Sequence, residues 1–431
     1  MAANDEANAA NPSLNSKFDE ATAAVDSLYD FRDHYFGNHG LDKAINKNYD
    51  VENEMRKTLI VLDNLKDAVR SKAKYLMLKG KALNVQQEFS ADAFEALSKS
   101  VKLEPSLVEA WNQLGECYWK RNAIIDAQNC FLGALAQAKN KVSLRSLSMV
   151  MRQFKENQHQ NILDSVEKAK EAVQMDVKDG TSWFVLGNAY LSLFFCASGQ
   201  SPTVLKQCMS AYAQAERDII ASCNPDLHYN RAIAYKYQEE YQLSLIGFAR
   251  ATALDPVRPE PNEKRNALID YLSRLTDLIN TKGKLKAKKL QSFASSITDN
   301  DLGPLKGSSL EQVLFNNVKE EKNKNSVICG KVVCSLTTDD PVPFTFCMID
   351  KNEECIAVTV YNIAVGCGVK IGDTVTIPEP TLLNHAVLHN DKEFVFRNIR
   401  VDSPVNLVVN GRKLGTEKQA PTYLQCSTVS E

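Results

Sequence analysis

Asp226 and Glu260 lie 34 residues apart, and two arginines, Arg145 and Arg152, precede them on one run of apolar periodicity. Carboxylates set opposite guanidinium groups recognise ions through charge-assisted hydrogen bonds, so this set suits the holding of a charged ligand. Catalysis asks for other patterns. The chain carries no G-x-x-x-x-G-K-[ST], G-x-S-x-G or H-E-x-x-H sequence. His385 and His389 have i,i+4 spacing, but they fall between expected strands without an acidic partner and read as surface loop histidines. Eleven cysteines include no CxxC pair, and Cys329 and Cys334 lack nearby histidines to complete a zinc site. They read as free thiols of a reducing compartment. No metal, no cofactor and no enzyme are expected.

The 34-residue interval needs a repeating element, and one is written into the chain. Trp111, Leu114, Gly115, Tyr118, Ala127, Phe131 and Ala134 follow the tetratricopeptide pattern W-x2-L-G-x2-Y…A-x3-F. Gly115 and Ala127 let two antiparallel helices approach, while the larger residues fill the space between units. Weaker copies carry Gly80, Leu83, Ala93 and Leu97 before it, then Leu144, Leu147 and Ser148. Trp183, Leu186, Gly187 and Tyr190 open another unit, and Ala232, Tyr235, Phe248 and Ala251 mark a further one. Apolar spacing from Asn262 to Asn280 suits a capping helix, and residues 15–39 and 50–71 read as two amphipathic helices ahead of the repeats.

In such a solenoid the first helix of each unit lines the concave face. Consensus positions two, five, nine and twelve then offer Arg145 and Arg152, Phe184 and Asn188, Asp226 and Tyr229, and Glu260 with Glu263. Packed helices stand about 8–10 Å apart, close enough for Asp226 and Glu260 to face one short ligand. The groove is therefore bipolar and fits a peptide with a cation next to an anion. Solvated surface charge is the ordinary alternative for any one of these residues.

Past the cap, Lys282-Gly-Lys-Leu-Lys-Ala-Lys-Lys289 holds five lysines in eight residues. Lys284, Lys286, Lys288 and Lys289 read as a solvated helix end or as a polyanion contact. From Ser326 the runs SVICGKVVCSLTT, FTFCMID, CIAVTVYNI, DTVTIPEP and FVFRNIRV switch to strands, which resembles an OB-fold. Phe344, Phe346, Tyr361, Phe394 and Phe396 could stack on bases, making DNA a possible partner there. The fold class expected is multidomain, α then β: a tetratricopeptide-repeat α-solenoid followed by a C-terminal OB-fold β-barrel. Its expected parts are N-terminal helices over 1–70, the solenoid and cap over 71–282, and a basic hinge and linker over 283–325. The OB-fold then covers 326–415, with a disordered tail over 416–431.

A formal net charge of −2 argues against a general polyanion binder. No leader and no apolar membrane span are expected, which suggests a cytosolic protein, and a nuclear one as well.

The segments LVEAWNQLGECYW, NKVSLRSLSMVMRQ, SWFVLGNAYLSL, NPDLHYNRA, GKLKAKKLQS, VPFTFCMID, AVTVYNI and IGDTVTIPEP together resemble one family in which tetratricopeptide repeats precede an OB-fold. The resemblance runs from Ser27 to Gly411. It implies an adaptor that recognises the N-terminal Met-Arg-Glu motif of nascent α- and β-tubulin at the ribosome. Such an adaptor triggers tubulin-message decay through a second adaptor that recruits a deadenylase. The family also implies a nuclear, stress-responsive role joining a histone acetyltransferase to a transcription factor. Its groove residues fall on Arg152, Asp226 and Glu260, and its ribosome-facing segment on the GKLKAKK tract. By charge, Arg152 takes the peptide's glutamate, and Asp226 with Glu260 its arginine or free amine.

Overall fold

The computed structural model describes residues 12–69, 71–196, 201–338 and 343–420. It divides into two compact units. The first holds the described chain up to Glu239 together with Ile246–Asn262; the second holds Glu240–Leu245 and the described chain from Glu263.

The first unit is a helical solenoid. It begins with α1 (Pro12–Asp33), α2 (Tyr35–Asn38) and α3 (Lys47–Leu65). Helix pairs follow: α4 (Lys72–Leu83) with α5 (Ala91–Leu103), and α6 (Val108–Lys120) with α7 (Ile124–Gln137). Next come α8 (Lys141–Met151) with α9 (Gln158–Met175), and α10 (Gly180–Cys196) with α11 (Pro202–Ala215). A short α12 (Ile219–Ser222) leads to α13 (Pro225–Tyr237), and α14 (Tyr241–Leu254) and α15 (Glu260–Asn280) each carry residues of both units. Several starts are chemically marked. Ser71, Ser90, Asn140 and Asn224 accept from backbone N–H groups at the heads of α4, α5, α8 and α13, satisfying donors that a helix cannot pair internally.

The repeat glycines act where the pattern requires them. A Cβ on Gly115 would stand 2.6 Å from the Phe131 ring, and one on Gly187 the same 2.6 Å from Tyr212. The repeat tryptophans also behave alike. Trp111 Nε1 donates to Pro105 O at 2.8 Å and Trp183 Nε1 to Val177 O at 2.9 Å, each six residues back. The first helices α4, α6, α8, α10 and α13 touch one another in sequence, which builds the expected continuous inner row.

The second unit is built on a closed sheet. Two short strands, β1 (Glu311–Gln312) and β2 (Glu321–Lys322), precede β3 (Ser326–Leu336), β4 (Phe344–Ile349), β5 (Cys355–Val360) and β6 (Thr374–Pro378). After these come β7 (Thr381–His389), β8 (Lys392–Val401), β9 (Val408–Val409) and β10 (Arg412–Lys413). β3–β4 and β4–β5 are antiparallel, β5–β8 is parallel, β8–β7 is antiparallel, and β6 returns antiparallel to β3. Only Glu379 and Pro380 separate β6 from β7, so the two act as one bent strand that closes the barrel. This is the Greek-key path of an OB-fold. Phe315, Val332, Phe346, Met348, Val358, Val375 and Ile399 fill its interior.

Four sequence expectations change here. His385 and His389 lie in β7, not in a loop; the polar Asn384 and His385 hid its alternation. His385 is buried, with its ring 4.7 Å from Phe396 and 5.0 Å from Tyr241. Residues 283–325 are not a plain linker, because α16 (Ala287–Ser295) buries Leu290, Phe293 and Ala294 and packs on β3 and β4. Its apolar stripe is short and sits beneath the lysines. The tail expected over 416–431 begins with ordered residues: Ala420 N–H donates to Asn362 O at 2.7 Å, and the stretch from 421 lies outside the described residues. Finally, Phe346, Tyr361, Phe394 and Phe396 are buried and Phe344 is half-buried, so these rings present no stacking platform for DNA.

Candidate peptide-binding groove

The acidic pair is assembled as the 34-residue spacing requires. Asp226 occupies the first turn of α13, where its N–H donates to Asn224 Oδ1 at 2.9 Å, and Glu260 opens α15. Between them stands a residue that sequence reasoning passed over. Arg258 Nη1 donates to Asp226 Oδ1, its Nε donates to Glu260 Oε2 at 3.2 Å, and its guanidinium lies 5.0 Å from the Tyr229 ring centre. Burial alone would lower the Arg258 pKa, but the two carboxylates outweigh it and hold that pKa above its ordinary value. The Arg258 side chain is 23% exposed, against 51% for Asp226 and 38% for Glu260. Arg258 precedes Glu260 by two residues in the turn between units, where periodicity gave no signal for it.

Arg152 caps the end of α8 and reaches across to the next unit. Its Nη1 donates to Val185 O at 3.4 Å and to Ser148 Oγ at 3.3 Å. The path from α10 onward is continuous. Asn188, one turn along α10 from Val185, accepts from Tyr212 Oη at 2.7 Å and from Asn230 Nδ2 at 3.1 Å, and Asn230 neighbours Tyr229 on α13. Tyr229 in turn packs against Phe248, with ring centres 5.7 Å apart.

Three expected groove residues do other work. Arg145 Nη1 donates to Asp179 Oδ2 at 2.5 Å, with the two side chains 18% and 13% exposed. That pair, beside Lys141–Asp176 at 2.7 Å, ties one unit to the start of the next. Phe184 is buried in the core around α10, and the buried Asn188 spends its carbonyl oxygen on the two donors above. A sequence frame assigns these side chains a direction; only packing reveals that neighbours cover them.

The front of the inner row is filled by the chain itself. Tyr29 of α1 donates to Lys81 O at 3.0 Å and to Gln113 Oε1 at 3.3 Å, and Lys81 Nζ donates to Asp26 Oδ1 at 3.0 Å. Consensus position nine of the first unit is thus taken, which leaves the later units for a ligand. Lys284, Lys286, Lys288 and Lys289 of the second unit are all exposed; Lys284 pairs with Asp277 at 3.1 Å, and Lys289 lies 4.6 Å from the Phe293 ring centre. Among the described residues, no group of His, Cys, Asp and Glu comes together as metal ligands would, and no helix is long and apolar enough to cross a membrane.

His228, one turn into α13, provides a pH-dependent anchor for this face. Its Nε2–H donates to Ser222 O at 2.8 Å; burial pushes its pKa down, and that bond only partly restores it. The unfolded chain takes up a proton near its ordinary pKa of about 6.5 while the folded chain resists. The stability His228 contributes is therefore present above about pH 6.5 and lost as pH falls towards the folded value. The thermal midpoint is expected to drop between about pH 7.5 and 5.5, and to drop less in His228→Gln, by differential scanning fluorimetry.

Comparison with known proteins follows the same division. The family model of the tetratricopeptide repeat protein 5 OB fold domain matches residues 309–423. The chain is 50% identical over 411 residues to tetratricopeptide repeat protein 5 of Homo sapiens, across 92% of this chain and 93% of that protein. The chain belongs to the tetratricopeptide repeat protein 5 family. The Bos taurus member is 49% identical over the same shares. This family is one of interaction proteins that join tetratricopeptide repeats to an OB-fold. Among solved structures, the Cut9 and Hcn1 assembly of APC/C aligns over 59% of this chain and 48% of that chain, at 14% identity and TM-score 0.43. YrrB, described as a TPR protein with an unusual peptide-binding site, aligns over 53% of this chain and 98% of its own at 17% identity and TM-score 0.30.

Proposed function

We propose that this protein senses nascent tubulin. Its groove takes the N-terminal Met-Arg-Glu motif of α- and β-tubulin as the chain leaves the ribosome, and binding leads to decay of the tubulin message. The observation that carries this reading is the bracket of Asp226 and Glu260 on neighbouring first helices, with Arg152 placed against Val185 two helices earlier. The acids suit the peptide's arginine or free amine, and Arg152 its glutamate. The exposed lysines Lys284, Lys286, Lys288 and Lys289 suit a ribosomal RNA contact. A second adaptor would bring the deadenylase, and the work would be done in the cytosol.

Fluorescence anisotropy with a labelled peptide beginning Met-Arg-Glu tests the groove. Asp226→Asn is expected to weaken binding about tenfold or more and to flatten its salt dependence, because one charge-assisted contact is lost. In cells carrying Arg152→Ala, tubulin-message half-life should stop responding to excess free tubulin. Persistent decay would favour the nuclear cofactor role, in which the solenoid scaffolds a histone acetyltransferase.

A further inference from the structure

We propose that Arg258 is the groove's resident counter-ion and makes the acidic pair selective for a peptide that carries an anion beside its cation. The proposal rests on the peptide-binding reading above and concerns what tunes it. Arg258 engages one oxygen of each acid, Asp226 Oδ1 and Glu260 Oε2. Asp226 Oδ2 and Glu260 Oε1 are left to a ligand on side chains that are 51% and 38% exposed. The Tyr229 ring backs the guanidinium at 5.0 Å, so the cation is held in place even when the outer oxygens are engaged.

The consequence is electrostatic. A ligand cation bound to the outer oxygens meets Arg258 roughly 6 Å away; across a half-exposed surface with an effective dielectric near 40, their repulsion lowers affinity about tenfold. A carboxylate next to that cation, taken chiefly by Arg152, is also attracted to the Arg258 guanidinium and offsets the loss. A cation alone is penalised, whereas a cation with an adjoining anion is not. The discrimination is built by adding a repulsive element to an attractive site.

The test compares two labelled peptides, Met-Arg-Glu and Met-Arg-Gln at their N-termini, on wild type, Arg258→Gln and Arg258→Lys of the full chain. Wild type should prefer the glutamate peptide. Arg258→Gln should reduce that preference about tenfold, chiefly by tightening the glutamine peptide, while Arg258→Lys retains most of it because the charge remains. If both peptides weaken equally in Arg258→Gln and the preference holds, Arg258 is only a structural brace and the proposal is overturned. If wild type binds neither peptide, the groove reading fails, and this proposal with it.

Discussion

Arg152→Glu is expected to weaken capture of a Met-Arg-Glu peptide by at least about a hundredfold. Removing one partner of a desolvated charge pair costs about 2–5 kcal/mol, and reversal adds repulsion against the peptide's own glutamate. Arg152 is half-buried and oriented by bonds to Val185 O and Ser148 Oγ, so its fork is aimed before a ligand arrives. Pre-organisation of this kind raises the cost of losing the side chain. Arg152→Lys should fall between the two, since it keeps the charge without the planar fork. Misfolding is separated from lost recognition by compensation: Arg152→Glu should bind a Met-Arg-Lys peptide better than wild type does. Failure of that rescue with an intact circular dichroism spectrum would falsify the assignment of Arg152 to the glutamate.

Gly187→Val should destabilise the solenoid by about 3 kcal/mol, the upper part of the usual overpacking range. A Cβ there would stand 2.6 Å from Cδ1 and Cε1 of Tyr212, whose ring is fully buried and cannot retreat. The damage reaches the groove as well. Tyr212 Oη holds the Asn188 carbonyl, and Asn188 is bonded to Asn230 beside Tyr229. Urea unfolding should show a lower midpoint with an unchanged slope, accompanied by weaker peptide binding. Gly37→Ala is the control, because nothing lies within 4 Å of a Cβ at that position, and it should leave both quantities near wild type.

These two cases show different degrees of legibility. Gly187, Leu186 and Tyr190 announce a helix pair in any reading of periodicity, and the repeat pattern also located Asp226 and Glu260 in equivalent places. Their joint partner was not legible. Arg258 sits in a turn, where no periodicity applies, and becomes a neighbour of Asp226 only when two units stack. Arg145 failed for the same reason: Asp179, 34 residues on, reaches it only in the folded solenoid. In the barrel, runs rich in Val, Ile and Phe betrayed five strands, but Thr381–His389 escaped because its buried His385 and exposed Leu388 break the apolar-in, polar-out alternation and Pro380 stands at its start.

Taken alone, the chain determined the repeat helices, five of the strands, their order, and the recurrence of acids at a 34-residue interval, since each is set by spacing along the sequence. Only the tertiary structure decided which charges remain for a ligand. It buried Phe184 and Asn188, paired Arg145, filled the first unit's inner face with α1, and set Arg258 between the two acids. A side chain's type sets what it can bind, whereas its availability depends on what the folded chain has already placed within hydrogen-bonding reach.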